Sequence, residues 1–297
     1  MQNQQDKTEL KEQTNEKIVI VSVGRHTRLG DILEYAVAGI PFETIDADSF
    51  LQGDWTNRKL LFALSAEVTG ENAQLHSLTA RLNEKTWSLE GCTCAAIADG
   101  AQGGVIHLDA LFLLLAANQT GAVVLSRPLL EGDRELRFFS GGKESPFERY
   151  RAQARLLVER LITGVTDAPE HPRVRFSTAL EGGAAHDWDS AIISMVADFG
   201  GELEDITVPD RTILLCENTD GLPSEKTLSL LSAQGQLRLI LASPATGSDL
   251  FTAAIMERAC LRGNYTLPPR AVIVFDGMST VEVLASKREM ERVKLFL

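Results

Sequence analysis

Short apolar runs without polar alternation recur along the chain. Each is followed by a polar or glycine-bearing break and then by apolar residues at helical spacing. "KIVIVSV" (17–23) is rich in β-branched residues and reads as a strand buried on both faces. The polar "GRHTRLGD" follows, then "ILEYAVAG", a helix ending at Gly39. "FETIDA" and "KLLFALS" predict a second and a third strand. "ENAQLHSLTARLNEK" sets Leu75, Leu78 and Leu82 on one face of an amphipathic helix. "CTCAAIA" predicts a fourth strand, Leu108 to Asn118 a helix and "GAVVLS" a fifth strand. Strands separated by helices pair in parallel, because a parallel pair needs a crossover.

"SGGKESP" (140–146) interrupts the pattern, and "FERYRAQARLLVERLITG" predicts one long helix with Phe147, Tyr150, Ala154, Leu157 and Leu161 on its apolar stripe. The proline-bearing "TDAPEHPR" reads as a linker, after which the alternation starts again. "RVRFSTAL", "ELEDITV", "RTILLC", "LRLILAS" and "RAVIVFDG" predict strands. "WDSAIISMVADFGG", "SEKTLSLLSAQ" and "DLFTAAIMERACLRG" predict helices, and "STVEVLASKREMERVKLFL" a single closing helix. The fold class is therefore α/β: two doubly wound, three-layer α/β/α domains with parallel sheets. The expected division is a disordered polar leader over 1–16, a first domain over 17–165 and a second over 174–297.

Composition narrows the function classes. The chain has 297 residues, 44% of them hydrophobic, enough apolar material for two cores. Its net charge of -12 disfavours a broad grip on nucleic acid or an anionic membrane, and no apolar run is long enough to span a bilayer. Neither nucleic acid nor membrane is expected as a partner. Cys92, Cys94, Cys216 and Cys260 match neither a disulfide scaffold nor a zinc site and read as buried free thiols, which points to the cytoplasm. The five histidines show no metal-ligand spacing, and no metal is expected. In the second half "ALEGGAAHDWDS" holds Gly182, Gly183, His186 and Asp187 for a ligand, or Asp189 or Ser190 as a helix cap.

One stretch carries a resemblance. "NEKTWSLEG", "CTCAAIADGAQGG", the Leu108 helix and "GAVVLSRPLLEG" follow one another as the later part of the NADPH-dependent FMN reductase family does, and the likeness extends over Lys17 to Gly132. The resemblance implies flavodoxin-like domains, FMN as cofactor at the carboxyl ends of the strands, and hydride or electron transfer from NAD(P)H. It implies that Ser22, Gly24, Arg25 and Thr27 of the first βα loop hold the FMN phosphate, with Arg28 as a further donor. Glu67, Thr69, Gly70 and Asn72 would lie against the isoalloxazine, and Gly100, Gly103 and Gly104 would let backbone approach it. From its residues alone, the first loop is either a phosphate site or a solvated connection. The function is accordingly an FMN-dependent NAD(P)H oxidoreductase or a non-catalytic flavodoxin-like binding or assembly protein that has lost the flavin site, with no catalytic residue assigned. A flavin or other small-molecule ligand, a protein partner and a homo-oligomeric assembly complete the expectations.

Overall fold

The structure is a computed structural model that describes residues 17–24, 28–66, 72–84, 88–100, 105–164, 173–180, 183–198, 202–203, 211–216, 223–231, 236–241, 248–262, 266–267, 269, 271–274 and 279–294. The polar leader and the linker at 166–172 lie outside these residues. The chain separates into two compact units, Met1–Val165 and Thr166–Leu297.

In the first unit the order is β1 (Ile18–Val23), α1 (Arg28–Ala36), β2 (Phe42–Asp46), the single turn α2 (Ala47–Phe50), β3 (Lys59–Ser65), α3 (Ala73–Asn83), β4 (Thr93–Asp99), α4 (Val105–Gln119), β5 (Val123–Gly132) and α5 (Pro146–Thr163). The sheet runs β2-β1-β3-β4-β5 with every pair parallel. This 2-1-3-4-5 order is that of flavodoxin-like sheets, whose topological switch lies between β1 and β3.

The three central strands are apolar on both faces because helices cover both. On one face Ile18, Ile20, Leu61, Ala63, Ala95 and Ile97 pack with Leu29 and Ile32 of α1 and with Tyr150, Ala154, Leu157 and Leu161 of α5. On the other, Phe62 meets Phe50 of α2 edge to face, and α3 packs beside α4. Helix α5 starts with a full capping box between Ser145 and Glu148 and with Pro146 in its first turn. Its Tyr150 is fully buried and donates a 2.9 Å hydrogen bond to the Ala98 carbonyl.

Strand β5 continues past the expected "GAVVLS" to Gly132, but its register shifts: Cys94 faces Val124 and Ala96 faces Leu129. Pro128 sits in the slipped segment and has no N–H to give the ladder, and Arg127 before it has a positive φ of 50°. The edge strand absorbs the irregularity and resumes at Leu129.

The second unit contains β6 (Arg173–Thr178), α6 (Gly183–Asp198), β7 (Glu202–Leu203), β8 (Arg211–Cys216), α7 (Glu225–Leu230), β9 (Gln236–Leu241), α8 (Ser248–Met256), β10 (Val272–Val274), α9 (Thr280–Ala285) and α10 (Lys287–Lys294). A π-helical turn, Glu257–Arg262, extends α8. The sheet order β10-β9-β8-β6-β7, all parallel, is again 2-1-3-4-5 when counted within the unit.

Two expectations are corrected here. Helix α6 begins at Gly183, so Asp189 and Ser190 lie inside it and not at its start. The closing segment is two helices, not one. Ser286 between them is extended (φ −87°, ψ 106°), and its hydroxyl accepts from the Glu289 amide, so it opens α10 as a cap does. Among the described residues no helix is long and apolar enough to cross a membrane.

Candidate functional site: a crevice at the sheet switch point

A cavity of about 440 Å³ opens at the carboxyl ends of β1, β2 and β3. Ser22, Gly24, Asp46, Ser65, Ala66, Asn72, Ala73 and Gln74 line it. Its place follows from topology. The loops after β1 and β3 leave in opposite directions around the switch, and a crevice forms between them.

The crevice walls are fixed by side chains at the start of α3. Asn72 is the N-cap of that helix; its Oδ1 accepts from the Leu75 amide at 3.0 Å. Its Nδ2 donates to the Ser65 carbonyl and, at 3.4 Å, to that of Val23, which ties the ends of β1 and β3 together. Gln74 Oε1 accepts from the Gly24 amide at 3.1 Å. Gly24 has φ +92°, and a Cβ there would lie 2.8 Å from Asn72 Nδ2 and 3.0 Å from the Ser65 carbonyl oxygen, so only glycine suits the position.

Asp46 closes β2. It is the register partner of Ser22 across the β1–β2 pair. Its Oδ1 accepts from the Ser49 amide at 2.7 Å and caps the turn α2. That amide holds the Asp46 carboxyl below the usual carboxylate range, so it is ionised at neutral pH. It is the one charged side chain among the described residues that line the cavity.

Arg28 does not point into the crevice lining. At the start of α1 its guanidinium forms a fork with the Asp99 carboxylate at the end of β4, and Nη1 and Nη2 donate to the carbonyls of Arg134 (2.8 Å) and Asp133 (2.9 Å). The hydrogen bond to Asp99 raises the Arg28 pKa further, against the opposing effect of burial. Asp133 in turn accepts from the Arg137 amide and side chain. Arg28 is a strut that joins α1 to the ends of β4 and β5.

The other residues singled out by the sequence divide as follows. Ser22, Gly24 and Asn72 come together on the crevice wall. Gly100 is buried elsewhere; its amide donates to the Gly132 carbonyl at 2.9 Å, and a Cβ on it would press on Ile106. Arg25, Thr27, Glu67, Thr69, Gly70, Gly103 and Gly104 lie outside the described residues. His107 Nδ1 lies 2.9 Å from Glu131 Oε2, near the end of β5 and away from the cavity lining. Among the described residues no group of three His, Cys, Asp or Glu could hold a metal ion.

Asp46 is the functional candidate that sequence reasoning passed over. The signal was present: an acidic residue ending the second strand, about 20 residues after a glycine in the first loop. In the second unit Lys226 of α7 follows its cap Ser224 as Gln74 follows Asn72, and it donates to the Leu180 carbonyl in the first βα loop of that unit at 3.4 Å. The same helix position therefore braces the same loop in both units.

The strand order makes this chain a flavodoxin-like α/β protein. No family model and no curated protein matches it. Among solved structures, a flavodoxin of Streptococcus pneumoniae is similar at 16% identity and a TM-score of 0.34, over 48% of this chain and 98% of that one. A flavone reductase is similar at 16% identity and a TM-score of 0.34, over 49% of this chain and 62% of its own. A Fusobacterium nucleatum flavodoxin mutant bound to flavin mononucleotide is similar at 12% identity and a TM-score of 0.34, over 50% and 97%.

Proposed function

We propose that the first unit binds FMN in the crevice between β1 and β3 and that the protein is an FMN-dependent NAD(P)H oxidoreductase. The observation that carries this reading is the cavity itself: about 440 Å³, within the range of small-molecule sites, at the switch point of a 2-1-3-4-5 sheet. The walls suit a hydroxylated chain, with the Ser22 and Ser65 side chains and the Asn72 and Gln74 amides around the opening. When bound, the flavin supplies the hydride and electron chemistry, and the protein positions it. The chain's own contribution is to fix the crevice: Asn72 sets the spacing of the β1 and β3 ends, and glycine at 24 lets backbone pass close by.

A second reading has its own observation. A phosphate needs donors, yet Arg28 is committed to Asp99 and the Gly24 amide to Gln74. That favours a flavodoxin-like binding protein without flavin chemistry. Titration of the purified full chain with FMN, followed by flavin fluorescence, separates the two. Saturable quenching at micromolar FMN is expected. A chain that is colourless as purified and leaves flavin fluorescence unchanged belongs to the second reading.

A further inference from the structure

We propose that the β2 side of the crevice binds the ribose 2′,3′-diol of a nucleotide such as NAD(H), with the Asp46 carboxylate accepting from the sugar hydroxyls beside Ser22. The proposal rests on the crevice being a ligand site, as the flavin reading does.

The geometry comes from the sheet. Because β2 pairs with β1, Asp46 and Ser22 emerge side by side as register partners, and both line the same cavity. In Rossmann dinucleotide-binding domains, which are also doubly wound, a carboxylate about 20 residues after the glycine-rich first loop accepts from a ribose hydroxyl, whereas an arginine nearby accommodates a 2′-phosphate. Here the position holds a carboxylate, and the described lining offers no cation.

The chemistry favours neutral donors over anions. A carboxylate has about four acceptor sites and no proton to give, so it takes sugar O–H groups and repels phosphate. The Ser49 amide and hydroxyl and the Asp48 amide hold the group in place at the cavity wall, and a carboxylate with about four acceptor sites still has one to offer a sugar hydroxyl. Capping the short turn α2 does not itself require a charge, since serine or asparagine caps as well. Capping therefore leaves the ionised group at the mouth of the cavity unexplained, and recognition of a diol explains it.

The test is calorimetric titration of the full chain with NAD⁺ and with NADP⁺, which differ by the 2′-phosphate, alongside the FMN titration described above. NAD⁺ should bind at least about tenfold more tightly than NADP⁺, as expected for the loss of a hydrogen bond to a charged group together with like-charge repulsion. In Asp46→Asn the preference should collapse, with NAD⁺ weakened and NADP⁺ not. The asparagine keeps the cap, and Asp46→Ser is a second variant that keeps it too. Glu84→Gln removes one negative charge at the opposite end of α3 and should leave both affinities unchanged. Equal binding of NAD⁺ and NADP⁺ by the unaltered protein, or an unchanged ratio in Asp46→Asn, overturns the proposal. FMN binding with no binding of NAD⁺ or NADP⁺ overturns it and spares the FMN site in the crevice. Selective NAD⁺ binding without FMN binding supports it and removes the flavin.

Discussion

Arg28 is the sharpest place to perturb the first unit, because the sequence offers it as a phosphate donor and the structure makes it a strut. Arg28→Ala removes a bidentate pair with Asp99 and two hydrogen bonds to the carbonyls of Asp133 and Arg134. The Asp99 side chain is 11% exposed and that of Arg28 28%, so the pair is neither a solvated surface contact nor fully buried. Exposed pairs contribute about 0–1 kcal/mol, and breaking a buried pair costs about 3–5 kcal/mol. Allowing for solvent screening of the arginine, we expect a loss of about 2–3 kcal/mol. For a unit of this size that lowers the melting temperature by roughly 5–10 °C. Arg28→Lys should restore only part of it, since an ammonium cannot form the fork. Because the chain holds two units, global unfolding need not be two-state. Native-state hydrogen exchange at the Ala66 and Gly100 amides, bonded to the Asp99 and Gly132 carbonyls, reads the affected edge directly. A double-mutant cycle with Asp99→Ala isolates the coupling. A change below about 0.5 kcal/mol with no coupling would refute the strut. Unchanged stability combined with lost FMN binding would return Arg28 to the ligand site.

Three further outcomes are expected. Gly24→Ala should destabilise the first unit by about 1–3 kcal/mol, since it forces a positive φ on a side chain and crowds Asn72 and Ser65; urea unfolding measures it, and a neutral result would show that the loop end moves freely. All four cysteines are buried, and burial pushes the Cys92 thiol up to about 11, so an aromatic disulfide reagent at pH 8 should titrate no thiol in the native chain and four after denaturation. The Ser145 amide and hydroxyl hold the Glu148 carboxyl below its ordinary value. Its capping contribution is therefore complete above about pH 4.3 and is lost as the pH falls through the lower folded value. Glu148→Gln keeps the box and should flatten that part of the acid-unfolding curve; an identical curve would contradict the assignment.

Much of the first unit is legible because its signals are local. A strand buried on both faces has to be a continuous apolar run, and β1, β3 and β4 are such runs. The apolar stripe of α5 is equally plain, and its inward residues Tyr150, Ala154, Leu157 and Leu161 are those on the expected face. What escaped is set by tertiary context. The continuation of β5 past Pro128 depends on the partner strand accepting a register shift. The break at Ser286 depends on a hydroxyl competing for an amide in a segment of otherwise good helix formers. The fate of Arg28 depends on Asp99, far away in sequence, and no local pattern shows that a distant carboxylate will engage it. Asp46 was readable by position alone, but only once β2 is known to lie beside β1. The crevice thus became visible through strand order and not through a motif.

The bond between Gln74 and the Gly24 amide means that the mouth of the first loop is already occupied by the protein's own side chain. An anion seeking that amide must first displace Gln74, so only the fraction of molecules with the glutamine swung away is competent, and the apparent affinity falls by that fraction. If the bond is worth about 1 kcal/mol, the handicap is about fivefold. A ligand that leaves the amide alone escapes it. The glutamine thereby acts as an internal competitor that ranks ligands by where they touch the loop, and because it rides on α3, whatever evicts it also changes the grip between that helix and β1.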